Sequence, residues 1–268
     1  MTGIVGLKAT WGRIAVDDDY CTPTASSGPM AGTAVDAALF YEVVGKPVAD
    51  HFYQKLYGPT PMPAAHCSGF NNVKDLGDIK LGVFQEWFDD CDPEVLSISQ
   101  KALAFLESRG TVVQVKLPNL EVLALAQAVN IAVDFALGHE KQKFEAPGTL
   151  EPATHIQLGL GGTMSGVELQ ATNWIRGYAV QYLQELFKEK DLSGIFTPTL
   201  ASLPPRMPAS AKATGESNTT LIMKLLQYIF LGNLCGHPCI SIPAGLSKEG
   251  LPVAVQVIAK HWDEHVCL

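Results

Sequence analysis

Apolar positions in this 268-residue chain fall into short continuous runs, separated by longer stretches with a helical period. Gly3 to Lys8 reads as a buried strand, Ile79 to Phe84 as a second, and Thr111 to Val115 alternates as a third. Between the last two, Asp92-Pro93 opens a helix with proline in its first turn, and the pattern runs to about Glu107 before Gly110 ends it. Strand, helix and strand in that order predict a βαβ unit. Thr33 to Val44 is predicted helical, with Val35, Ala38, Leu39 and Val43 at the helix period and Thr33 placed to cap the start. Two long helices are predicted at Leu120 to His139 and Gly166 to Lys190; the second ends in Lys188 and Lys190, which suit the negative end of a helix dipole. Gly194 to Thr197 is a short strand stopped by Pro198. Leu221 to Leu234 is apolar nearly all round and reads as one deeply buried helix. Cys239 to Ile242 and Val253 to Ile258 are strands joined hairpin-fashion through Gly245 to Gly250, and His261 to Leu268 begins a closing helix. Pro- and Gly-rich segments at Gly58 to Asn72 and Leu203 to Asn218, and a turn-rich one at Asp17 to Asp19, are loops. No repeat and no linker divides residues 1–268.

Composition sharpens this α/β reading. Hydrophobic residues make up 47% and charged residues 17%, against a usual charged share of about a quarter. A large sheet covered on both faces accounts for such a balance, because its strands need no polar side. So does apolar surface that meets a further segment. Net charge is −8 and no Lys/Arg run exists, so nucleic acid is not an expected partner. The six cysteines (Cys21, Cys67, Cys91, Cys235, Cys239, Cys267) are scattered with no signal peptide before them, which predicts a reduced, cytoplasmic chain. Tyr228 to Leu246, read as the most apolar stretch, is interrupted by Asn233, His237, Pro238 and Pro243, so no transmembrane segment is expected.

Particular residues say more than the pattern. Gly3-Ile4-Val5-Gly6-Leu7-Lys8-Ala9-Thr10-Trp11-Gly12-Arg13-Ile14 resembles the G-V-V-G-L-K-P-T-x-G-R-V segment of the amidase signature family. Ser27-Gly28-Pro29-Met30-Ala31, then Val35-Asp36-Ala37-Ala38-Leu39, is similar to its G-P-M-A-x-x-V-x-D-A-A-L block. Ile79 to Val83, Trp87-Phe88-Asp89-Asp90 and Asp92-Pro93-Glu94-Val95 continue the likeness. Asn233-Leu234-Cys235-Gly236-His237-Pro238, Ile240-Ser241-Ile242-Pro243, Gly250-Leu251-Pro252 and Trp262-Asp263-Glu264 resemble the family's closing blocks. These segments fall in family order from end to end. Ala9 stands where the family usually has proline, and Ala25-Ser26-Ser27 departs from its usual approach to Gly-Pro.

The resemblance implies a mixed, mostly parallel sheet with helices on both faces, truncated on its N-terminal side. It also implies hydrolysis of a carboxylic amide without a cofactor; the narrower class of fatty-acyl amides rests on similarity alone. In the family a serine nucleophile, a bridging serine in a cis peptide and a neutral lysine do the chemistry. All three precede the segment matched by Gly3 to Ile14. The resemblance therefore assigns no catalytic residue here, and these 268 residues are expected to be inactive alone. Expected partners are a small amide substrate of the intact enzyme and a complementing N-terminal segment or a second copy. A non-catalytic remnant that scaffolds a partner is the alternative, and the glutamine-handling component of a tRNA amidotransferase shares the fold. Loss of the N-terminal part should leave Ile4, Val5 and Leu7 without neighbours on at least one side, beside an exposed apolar patch.

Other candidate groups have plainer explanations. Ala25-Ser26-Ser27-Gly28 looks like a nucleophile loop but lacks paired flanking glycines, and Lys8 reads as an exposed or salt-bridged lysine rather than a catalytic base. His261 and His265 at i, i+4 around Glu264 have a spacing metals use, yet nothing nearby completes a shell, and they read as surface histidines. Cys235 and Cys239 have no second pair for zinc and read as small buried apolar groups. His237 enters a central strand and should bond backbone. Gly159-Leu160-Gly161-Gly162 lacks the strand, lysine and hydroxyl of a phosphate loop, and Gly215-Glu216-Ser217-Asn218 reads as a helix cap. Met223, Leu226, Ile229 and Phe230 fit either an acyl-chain tunnel or an ordinary core helix. No metal site and no substrate-binding residue is assigned.

Overall fold

The structure, a computed structural model, describes residues 2–16, 24–51, 54, 76–216 and 218–268. The loops read at Asp17 to Asp19 and Gly58 to Asn72 fall outside those residues, as do Cys21, Cys67 and Ser217. Among the described residues seven strands form one sheet: β1 (Val5–Lys8), β2 (Met30–Ala31), β3 (Lys80–Val83), β4 (Thr111–Gln114), β5 (Gly194–Pro198), β6 (Cys239–Leu246) and β7 (Pro252–Ala259), in the order β2-β1-β6-β7-β5-β3-β4. β3 lies parallel to β4 and β5, and the helix Pro93–Glu107 provides the β3–β4 crossover that the strand-helix-strand pattern predicts.

The sheet is mixed, as expected, but parallel pairing reaches less far than the resemblance implied. The other pairs, β1–β2, β1–β6, β5–β7 and β6–β7, run antiparallel. The reason is local. A short turn from Ser247 to Gly250, closed by Ser247 N–H to Leu251 O at 2.7 Å, folds β7 straight back on β6, and such a turn permits only antiparallel pairing. Helices do cover both faces. On β5, Ile195 joins the core formed with the helices Leu120–Gly138, Gly166–Glu189 and Phe230–Cys235, while the next residue, Phe196, joins the core under Pro93–Glu107. Successive side chains point to opposite faces, so β5 is buried throughout and its run is continuously apolar.

Strand β1 corrects another expectation. It is paired on both sides, by β2 and β6, and Val5 and Leu7 sit in a core with Ala37, Tyr41, Ile240 and Cys267; only Ile4 is exposed. The helix Ala34–Val44 packs on this core through Ala37, Ala38 and Tyr41. Thr33 caps it as predicted, accepting from Asp36 N–H. The buried face is not the one the period suggested, however: Val35, Leu39, Phe40 and Val43 face outward. This helix is apolar on both sides, so the pattern could not choose, and the small alanines allow the closer approach.

The apolar stretch from Leu221 is also two helices, Thr219–Leu226 and Phe230–Cys235, and only the second is deeply buried. Tyr228 lies between them and is drawn into the sheet, where its carbonyl accepts from Gln256 Nε2 at 2.7 Å. The closing helix shrinks to Glu264–Cys267, after a turn in which Trp262 has a left-handed backbone (φ 71°). Finally, among the described residues the helix Leu120–Gly138 is long and apolar enough to cross a membrane, by length and composition alone. Here it packs Leu123, Ala126, Gln127 and Asn130 against neighbouring helices and turns Val122, Leu125, Ile131 and Leu137 outward.

Candidate functional site

Where β1 leaves the sheet, the chain makes a buried charge lock. The Glu264 carboxylate receives the Thr10 backbone N–H at 2.9 Å on Oε1 and Arg13 Nη2 at 3.2 Å on Oε2. Thr10 Oγ1 in turn accepts the Trp262 N–H at 2.9 Å, and the Arg13 guanidinium lies 4.7 Å from the centre of the Trp262 ring. Gln54 fixes the other side, donating from Nε2 to the carbonyls of Gly12 and Arg13 at 3.2 and 3.0 Å. Burial would push the Glu264 carboxyl up; the Thr10 hydrogen bonds and the Arg13 charge outweigh it and hold the group below the ordinary carboxylate value. The sequence showed Thr10, Arg13, Trp262 and Glu264 as motif letters without revealing that they meet, and gave no sign of Gln54.

Behind the lock lies a packed group of imidazoles and thiols. Lys8 stands opposite Cys239 in the β1–β6 register. Its side chain is half-buried, its ammonium donates to Ala9 O at 3.3 Å, and desolvation lowers its pKa, so it is neither the exposed nor the salt-bridged lysine expected. His237 is buried and stacks on His261, with ring centres 3.9 Å apart. A carbonyl can only accept, so the contact of His237 Nδ1 with Ala259 O at 2.8 Å puts the proton on Nδ1. Its Nε2 has no hydrogen-bond partner among the described residues. By the same reasoning His261 carries its proton on Nε2, bonded to Cys235 O at 2.8 Å. Burial first, then the neighbouring His261, lowers the His237 pKa to about 3, so this ring stays neutral.

His261 is therefore not the surface histidine the sequence suggested. It precedes the last helix, whereas His265 lies exposed within it, and the two do not share a helix face. Among the described residues no three His, Cys, Asp or Glu side chains converge on a metal position. Burial drives the Cys235 thiol up to about 12 and raises Cys239 and Cys267 as well, so these sulfurs stay protonated and weakly nucleophilic, in keeping with the reading of Cys235 and Cys239 as small core groups.

The remaining sequence candidates resolve individually. Ser26 and Ser27 lie in the irregular segment before β2, and Gly28 presses against β1: a Cβ there would fall 1.7 Å from Leu7 O. Gly159 to Gly162 belong to the helix Pro152–Thr163, and Gly161 meets the helix Leu120–Gly138, where a Cβ would fall 1.9 Å from Ala132 O. The run thus belongs to helix packing rather than to a phosphate loop. Asn218 caps Thr219–Leu226, accepting from Leu221 N–H at 3.0 Å.

A second polar network is one that the sequence reading missed. Gln256, buried on β7, donates to Thr197 Oγ1 at 2.9 Å as well as to Tyr228 O. The Tyr228 hydroxyl donates towards the carbonyls of Trp87 at 2.7 Å and Asp90 at 2.9 Å. Elsewhere on the sheet the Thr199 and Ser241 hydroxyls lie 2.9 Å apart. The available signal was a glutamine within an otherwise apolar strand, since a buried amide needs partners. This network holds the turn after the helix Gln85–Asp89, and that turn borders a cavity of about 360 Å³. Phe84, Trp87 and Phe230 wall it, and Glu86, Asp90 and Glu121 also line it. Met223 lines it too; of the residues proposed for an acyl tunnel, Leu226 and Ile229 do not.

A mixed sheet between two helical layers, with buried polar networks where β1, β5, β6 and β7 meet, defines an α/β protein. The chain belongs to the Amidase family, whose family model matches residues 1–268. Fatty acid amide hydrolase of Oryza sativa subsp. indica is 31% identical over 273 residues, covering 98% of this chain and 44% of that protein. A glutamyl-tRNA(Gln) amidotransferase component from Myxococcus xanthus is 30% identical over 291 residues, covering 98% and 57%. A bacterial aryl acylamidase of the amidase signature enzymes shares the fold, with a TM-score of 0.79 at 19% identity over 99% of this chain and 56% of that one. The chain thus spans about half the length of the relatives it matches.

Proposed function

We propose that this chain is the part of an amide hydrolase that frames the substrate site, and that the Ser-cisSer-Lys machinery is not among its 268 residues. The observation that carries this reading is the environment of Lys8. A lysine base must stand beside a serine hydroxyl, yet the Lys8 ammonium bonds Ala9 O and faces thiols and imidazoles, and Ser26 and Ser27 lie in the separate segment before β2. The 31% identity to a plant fatty acid amide hydrolase favours fatty-acyl amides as substrates of the intact enzyme.

The test uses the purified 268-residue chain with a fluorophosphonate probe and a long-chain acyl amide. The expected result is neither serine labelling nor hydrolysis by the chain alone. Both should appear when a polypeptide spanning the family's Lys, Ser and Ser region is co-expressed with it. Labelling of a serine in the isolated chain would refute the proposal.

A complementing partner, rather than a solitary chain, is favoured by one further feature. Leu39, Phe40 and Val43 are exposed on one side of Ala34–Val44, as are Leu125, Leu137 and Trp174 on the long helices, and apolar surface of this kind marks contact sites.

A further inference from the structure

Strand β4 closes one end of the sheet, and its outer side is open. The parallel register with β3, and Val115 N–H donating to Val83 O at 2.9 Å, turn the backbone groups of Thr111, Val113 and Val115 towards β3. Backbone direction alternates along a strand, so Val112 and Gln114 point theirs away from the sheet, where none of the described strands meets them. Groups bonded within the chain bound this open stretch. Arg109 O accepts from Leu76 N–H at 3.0 Å, and Lys116 O accepts from the Tyr182 hydroxyl at 2.9 Å. Edge strands commonly carry a lysine, a proline or a bulge that deters pairing. Thr111–Gln114 carries none of these, and its register with β3 is unbroken. The opposite edge is blunted, because β2 has only two residues and follows Pro29 directly.

We propose that β4 pairs antiparallel with β4 of a second copy of this chain, joining two sheets about a twofold axis. The backbone selects the register. Centred on Val113, it sets Val112 opposite Gln114 of the second copy and Gln114 opposite Val112, so the outward N–H and C=O of all these residues are bonded. Centring on Val112 would set Gln114 against Gly110, whose N–H already serves Leu106 O. Centring on Gln114 would set Val112 against Lys116, whose carbonyl Tyr182 already occupies. Side chains favour the same register. Val113 meets Val113 of the second copy at the closer, non-hydrogen-bonded position, where a β-branched pair is stabilising. Val112 and Val113 pack on the cores of opposite faces and are only half-buried, so pairing covers both where the edge leaves them open. The nearest charge, Lys116, falls opposite Gly110, and no like charges are opposed. An unrelated strand would match the backbone alone, whereas a second copy also matches the side chains. This inference is independent of the amide hydrolysis reading.

Sedimentation equilibrium and amide hydrogen exchange of the whole chain, over an about hundredfold range of concentration, test the pairing. The expected result is a monomer–dimer equilibrium in which the Val112 and Gln114 amides exchange at least about tenfold more slowly at the highest concentration than at the lowest. The Val113 amide should be slow throughout, because it faces β3. Gln114→Pro removes an outward N–H and no bond within the sheet, so it should weaken dimerisation at least about tenfold. Gln114→Ala keeps that N–H and should leave the dimer within about twofold of the unaltered chain. A chain that stays monomeric at every concentration would overturn the proposal. So would a dimer whose Val112 and Gln114 amides exchange at the same rate at every concentration. Both readouts use the unaltered chain and stand whether or not Gln114→Pro folds. A folded Gln114→Pro that dimerises undiminished, or a Gln114→Ala that loses the dimer equally, would also overturn it.

Discussion

Arg13 Nη2 lies 3.2 Å from Glu264 Oε2, joining positions 251 apart in the chain, and both side chains are excluded from solvent. The pair fastens the exit of β1 to the last helix and brings Thr10, Trp262 and Gln54 into one bonded group. Desolvating two charges is costly, and the cost is met here because the carboxylate accepts several donors at once. Breaking one side leaves the other buried and unpaired. Glu264→Ala should therefore cost about 3–5 kcal/mol in urea unfolding. The double replacement Arg13→Met/Glu264→Leu should cost less than the sum of its single changes, since no lone charge remains. A loss below about 1 kcal/mol for Glu264→Ala would show the pair to be energetically idle.

Acid should weaken the fold from near neutrality. His237 has a pKa of about 3 in the folded chain, against about 6.5 when unfolded. Between these values the unfolded state binds the extra proton, so stability is full above about pH 6.5 and falls as pH drops, by about 1.4 kcal/mol per unit for this one group. His261, also lowered, acts with the same sign. Melting curves from pH 7.5 to 5 should show the decline, and His237→Gln should flatten it. A Tm independent of pH over that range would contradict the buried, neutral ring.

Gln127 is buried with both amide atoms lacking a partner among the described residues. Burying an unbonded amide is unfavourable. Gln127→Leu should accordingly raise stability by about 1–2 kcal/mol. Chemical denaturation of the two chains measures it, and a loss would mean that the amide is bonded in solution.

Adjacent glycines in Pro152–Thr163 should respond in opposite directions. Gly162 has open space where a Cβ would go, so Gly162→Ala should gain up to about 1 kcal/mol from helix propensity. Gly161 meets the Ala132 carbonyl, so Gly161→Ala forces two helices apart and should cost about 1–3 kcal/mol. Thermal melts decide it; equal effects at both positions would remove the close helix contact.

Much of the fold was legible in residue order. The β3–helix–β4 unit, the β6–β7 hairpin, the Thr33 and Asn218 caps and the long helices all follow from local period and capping chemistry, which need no knowledge of neighbours. Motif order along the chain also pointed to the family that the comparison confirms. Other features required the third dimension. Which face of Ala34–Val44 is buried depends on how closely β1 can approach alanine, and an all-apolar helix carries no such information. The break at Tyr228 comes from hydrogen bonds to residues far away in the chain. His237 on His261 and Arg13 on Glu264 are likewise contacts between distant segments. Local sequence determines what each segment prefers; only packing determines which polar groups are enclosed together, because desolvation and pairing exist between segments and not within them.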